Sequence, residues 1–146
     1  MKKAMITALA AATMLLPFPA AAQEVPLIPS DYWEVTEVDV QDGQFGAYAD
    51  YLATQWRRNQ EFSKSKGWMK DYFVLSTVNA RAGEPDLYLV TVFERMPSAT
   101  EQMAREKEFD RFQQTTGRQQ DAAFAGRVTM RKIGGSMLMQ RLLFRR

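Results

Sequence analysis

The stretch WMKDYFVLSTVNARAGEPDLYLVTVFE, residues 68–94, holds two runs rich in β-branched and aromatic side chains, Trp68 to Val78 and Leu87 to Glu94. Gly83-Glu84-Pro85 marks a turn between them, and the connection leaves no room for a helix. Parallel neighbours need a crossover of roughly a dozen residues or more, so the two runs predict an antiparallel hairpin. A central hairpin flanked on each side by a helix and then a strand decides the fold.

On the N-terminal side, Tyr32 to Val40 has strand composition and ends at the turn pair Asp42-Gly43. Ala47 to Lys66 follows with helical spacing. Tyr48, Tyr51, Leu52, Trp56, Asn59 and Phe62 recur at steps of three and four, and Gly67 supplies the stop. On the C-terminal side, Ser98 with Glu101 is a capping box for a helix from Ala99 to Gln114, with Met103, Phe109 and Phe112 as its inward stripe. Gly117 interrupts the pattern. A further helical segment is expected over Gln119 to Lys132, with Phe124, Val128 and Met130 inward and Gly134-Gly135 as its end; a last strand runs from Ser136 to Phe144.

The order β-α-β-β-α-β predicts an α+β domain, a ferredoxin-like sandwich with an antiparallel four-stranded sheet. Two helices cover one face of such a sheet, and strand alternation divides the residues between the faces. Val35, Phe73, Leu75, Leu87, Leu89, Phe93, Met137, Met139 and Leu143 are expected under the helices. Tyr32, Glu34, Thr36, Val38, Tyr72, Val74, Ser76, Tyr88, Val90, Val92, Leu138, Gln140 and Leu142 then form the opposite face. That face is too apolar for water and too polar for an ordinary core, so it is expected to pair with a second copy around a lined cavity.

This layout resembles the dimeric α/β-barrel superfamily, which holds antibiotic-biosynthesis-type monooxygenases and small stress-responsive barrel proteins. The resemblance spans Tyr32 to Phe144. It rests on the element order, the aromatic first helix ending in Gly67-Trp68-Met69, and the final strand after Gly134-Gly135. It implies a homodimer packed sheet to sheet, with a ligand inside the barrel or between sheet and helices. Haem-binding members generally use a histidine, and this chain has none. Cofactor-free oxygenases of this kind rely on aromatic and amide side chains, types that Trp33, Asn59, Trp68 and Tyr72 supply.

The chain opens as a secretory signal peptide does. Lys2 and Lys3 precede an apolar run from Ala4 to Leu16, Pro17 and Pro19 break it, and Ala20-Ala21-Ala22 closes it with small side chains. Residues 1–22 are therefore expected to be removed after Ala22. An extended arm at 23–31 and one domain at 32–146 remain, in a periplasmic or secreted protein without a membrane span. Of 19 basic and 17 acidic residues, Lys2 and Lys3 belong to the leader, so the mature chain is balanced and gives no reason to expect a nucleic-acid partner. Its charge is nonetheless segregated. From Gly117 onward, Arg118, Arg127, Arg131, Lys132, Arg141, Arg145 and Arg146 face only Asp121, an excess that either neutralises the acidic remainder or marks an anion site.

Cysteine and histidine are both absent. Disulfides, thiolate nucleophiles, Ser-His-Asp and Cys-His catalysis and His-ligated metals or haem are thereby excluded, and no cofactor or metal is expected. Met137 and Met139 share a side of one strand, a spacing suited to Cu(I), but without His or Cys they are read as core packing. Glu37 is expected to pair with Arg141 on the neighbouring strand. The expected ligand-binding residues are Tyr32, Glu34, Thr36, Tyr72, Ser76, Tyr88 and Gln140, directional groups for a small, aromatic or other organic molecule, with the three tyrosines equally open to a role as interface aromatics of the dimer. Glu34 is the candidate base if the protein is instead a cofactor-independent monooxygenase or isomerase. A structural or stress-related barrel without a ligand is the third reading.

Overall fold

The computed structural model describes residues 25–145; the expected signal segment and its expected cleavage point lie outside them. Four strands, β1 (Leu27–Val40), β2 (Asp71–Ser76), β3 (Leu87–Phe93) and β4 (Arg131–Phe144), form one sheet in the order β2-β3-β1-β4, and every neighbouring pair is antiparallel. This α+β arrangement is compatible with a ferredoxin-like fold. The hairpin of residues 68–94 forms as expected, with Tyr72 opposite Thr91 and Ser76 opposite Leu87.

Helix α1 spans residues 45–65. Its outer turns, Phe45–Tyr51 and Arg57–Ser65, are α-helical, and Leu52–Trp56 between them is π-helical. Gly67 follows at φ 68°, left-handed backbone that glycine adopts without strain. Helix α2 (Ala99–Gln113) starts at the predicted capping box. The Ser98 hydroxyl accepts from Glu101 N–H, and the Glu101 carboxylate accepts from Ser98 N–H. Arg95 and these bonds hold the Glu101 carboxyl far below the usual carboxylate range. Because that folded value is depressed, its stabilisation is complete above the ordinary carboxylate pKa and is lost as acid drives the folded group to protonate. Ser98→Ala is expected to lower unfolding stability by about 1 kcal/mol in urea titrations. Helix α3 (Gly117–Gly126) begins at a second capping box, Thr116 with Gln119, and a short 3-10 turn, Arg127–Thr129, leads into β4.

Under α1, Val38, Tyr48, Leu52 and Leu87 form one buried cluster, joined by Val40, Trp56, Leu89 and Ile133. Burying each such aliphatic side chain stabilises the fold by roughly 1.5–3 kcal/mol. A second cluster, Val35, Val90 and Val92, is covered by Trp33, Phe73 and Tyr88. The Trp33 and Phe73 rings meet edge to face at 5.4 Å. Phe62 ties α1 to α2 by stacking on Phe112, with Phe109 and Trp68 beside it.

The register corrects the expected faces. Val38 lies opposite both Leu87 and Ile133 and packs under α1, so Tyr32, Glu34, Thr36 and Val38 share the helix-covered face. With them stand Tyr72, Val74, Ser76, Leu138 and Gln140. Val35, Phe73, Leu75, Met137 and Met139 lie on the open face with Tyr88, Val90 and Val92. Only β3 keeps its expected facing, with Leu87 under α1. Two elements depart from expectation for a related reason: Gly134-Gly135 does not end a helix but lies within β4, where the ladder shifts between Thr36 and Val38. The extra residue forms a bulge that lets Ser136 and Ile133 both face the helices. A Cβ on Gly134 would stand 3.1 Å from Glu37 Oε2, which explains the glycine. At the other end, β1 begins at Leu27, so residues 27–31 continue the sheet instead of forming a separate arm, pairing with β4 as far as Leu27 opposite Phe144.

Several side chains expected inside are outside. Met103 (60% exposed) and Val128 are open to solvent, Phe124 is half-exposed beneath two arginines, and the thioethers of Met137 and Met139 are half-exposed on the open face, not in the core. Glu37 faces the bulge, while Arg141 stands near the far end of the same ladder; the two are not an ion pair. No helix among the described residues is long and apolar enough to cross a membrane.

Candidate functional site

Between α1 and the β2 edge of the sheet lies a groove of about 610 Å³. Phe45, Ala49, Leu52, Ala53 and Trp56 line its α1 wall; Tyr72, Val74, Ser76 and Leu87 form the sheet wall. The π-helical turn supplies Leu52, Ala53 and Trp56 to this wall. A π turn holds one residue more than an α turn over a similar rise and so pushes the helix surface outward, a device frequent at functional sites.

The mouth of the groove is polar. Tyr72 donates its hydroxyl hydrogen to the Glu61 carboxylate, and the Trp56 and Tyr72 rings meet edge to face at 5.4 Å. That hydrogen bond, with some burial, raises the Tyr72 pKa, so at neutral pH the residue stays a phenol and acts as a donor. Lys64 pairs with Asp71 at 2.9 Å across the rim, which lowers the Asp71 pKa and raises that of Lys64; Arg57 completes the ring of charge. The result is an apolar slot with directional polar groups at one end, suited to a flat organic molecule with a polar substituent.

A second cavity, about 470 Å³, lies below α2 between Glu34, Trp68, Met69, Phe93, Arg105 and Phe109. Arg105 donates to the Trp68 carbonyl at 3.3 Å and stands over the Trp68 ring. Glu34 is exposed at its edge. Compared with family models, curated proteins and solved structures, the chain finds no match.

The expected site residues therefore divide. Tyr72 and Ser76 line the first groove and Glu34 the second. Thr36 is joined to Ser136 on β4 at 2.8 Å, and Gln140, opposite Tyr32, donates to the Ser30 carbonyl at 3.4 Å, so both bind the sheet together. Tyr88 lies on the opposite face against Val90 and its neighbours. Sequence reasoning missed the α1 wall, because Leu52 and Trp56 fit a helical core stripe and Phe45 precedes the expected helix start. Among the described residues, no three acidic side chains converge as a metal site would require.

Proposed function

We propose that this protein is an exported homodimer that binds a small aromatic or similar organic molecule in the groove between α1 and β2, with its subunits joined through their open sheet faces as in a dimeric α/β barrel. The observation that carries the binding reading is the π-helical turn placing Leu52, Ala53 and Trp56 along an apolar slot whose mouth holds Tyr72. An apolar wall gives a desolvated area for a ring, and the Tyr72–Glu61 pair with Ser76 gives direction.

The dimer is supported by the composition of the open face. Trp33, Phe73, Leu75, Tyr88, Met137 and Met139 present a continuous apolar surface that the chain's own helices do not cover. Glu37 and Arg141 stand toward opposite ends of the β1–β4 ladder on this face. A two-fold axis perpendicular to the strands brings such ends together, and with that axis the charges that do not meet within one chain complement each other between two. The leader-like composition of residues 1–22 supports the export reading.

Native mass spectrometry of protein purified from the exported fraction tests the three parts separately. The expected spectrum is a dimer of chains lacking residues 1–22, with a reproducible added mass of a small organic molecule. A bare dimer removes the stored-ligand reading, a monomer removes the sheet-to-sheet interface, and retention of the leader removes export.

A further inference from the structure

A third cavity, of about 100 Å³, lies within the helical layer and is lined by Tyr51, Gln55, Asn59, Gln113, Gln120 and Arg127, with Phe109 and Ala123. No carboxylate lines it. Asn59 Oδ1 already accepts from Gln113, and Gln120 Nε2 donates to Asp110 Oδ1 at 2.8 Å, so these bonds leave the Asn59 amide hydrogens and the Arg127 guanidinium as donors. Arg127 Nε is buried and meets no protein acceptor. Its guanidinium lies over the Tyr51 ring at 4.7 Å and the Phe124 ring at 5.7 Å. Arg131, only 5% exposed, covers Phe124 at 4.4 Å. Neither arginine has a carboxylate in ion-pair range among the described residues.

Arg131 donates a hydrogen bond to the Tyr48 hydroxyl; the half-buried Arg127 has its Nε shut off from water without an acceptor, and its ring contacts offset only part of that cost. Of the basic residues after Gly117, Arg127 lines this cavity and brings its charge to a wall of neutral amides. We propose that this cavity binds a small oxyanion of the size of formate or nitrate, with Arg127 supplying the charge and Asn59 a second hydrogen bond. The site is separate from the α1–β2 groove and does not depend on it.

The test is thermal unfolding of the mature protein in sodium formate and in sodium nitrate, with sodium chloride at matched ionic strength as control. A saturable rise in Tm beyond that in chloride is expected for at least one of the two, which also separates a carboxylate from an inorganic source. Arg127→Gln removes the charge and Ala123→Leu fills the space. Each is expected to weaken the apparent affinity about tenfold or more, whereas Arg118→Gln, an exposed arginine that does not line the cavity, leaves it unchanged. Equal shifts in chloride, or an undiminished shift in either folded variant, overturn the proposal. If Arg127→Gln does not fold, Ala123→Leu decides alone.

Discussion

Met139→Glu is expected to convert the protein from dimer to monomer in sedimentation equilibrium while leaving its far-ultraviolet circular dichroism unchanged. Met139 lies on the open face opposite Trp33, 45% exposed within one chain, so a carboxylate there stays hydrated as long as the subunit is alone. In a sheet-to-sheet dimer, two-fold symmetry introduces the charge twice, and each must leave water; the nearest cation, Arg141 two residues on along the same face, is in the proposed pairing already matched to Glu37 across the interface. An uncompensated buried charge costs about 3–5 kcal/mol, enough to weaken association by two orders of magnitude or more. Val128→Glu is the matching control, since Val128 is at least as exposed but belongs to the helical layer. If Val128→Glu dissociates the dimer and Met139→Glu does not, the subunits meet through their helices. A monomeric parent protein ends the barrel reading altogether.

The elements were legible where local chemistry is unambiguous. The hairpin followed from two β-rich runs without helix space between them, and the Ser98–Glu101 box and Gly67 fixed helix ends because their side chains and backbone satisfy specific orphan groups. The facing of the sheet was not legible. Alternation separates two sets of residues but does not say which set the helices cover, and here both sets are apolar: Val38 and Leu87 on one side, Val35 and Val90 on the other. Only the tertiary placement of α1, set by Tyr48 and Leu52 packing on Val38, decides between them. Gly134-Gly135 has the composition of a helix stop and of a strand bulge alike. The neighbouring Glu37 that makes a side chain costly there is almost a whole chain away in sequence. Of the site, Tyr72 and Ser76 were identified from residue type. The wall that faces them depends on one extra residue in a helical turn, which leaves no mark in a pattern read at steps of three and four.

That extra residue gives the second large expected effect. Deleting Thr54, which is exposed and lines no cavity, removes one residue from the π-helical turn and lets α1 run as a continuous α-helix. The phase of the flanking turns is kept, because the π turn carries a residue more than an α turn. Tyr48 and Phe62 then retain their contacts, while the wall formed by Leu52, Ala53 and Trp56 draws in and narrows the slot. Binding of anilinonaphthalene sulfonate, an aromatic probe whose sulfonate suits the Arg57 and Lys64 rim, is expected to be saturable in the parent protein. It is expected to weaken about tenfold or more on the deletion, a loss of roughly 1.4 kcal/mol. Ala53→Trp reaches the same end by filling the slot from an exposed position, without altering the helix. Were both variants to fold and bind the probe as the parent does, the π turn would be no more than a relief of packing between α1 and the sheet. Loss in both, with the dimer intact, ties the groove to the ligand independently of the interface, because neither change touches the open face.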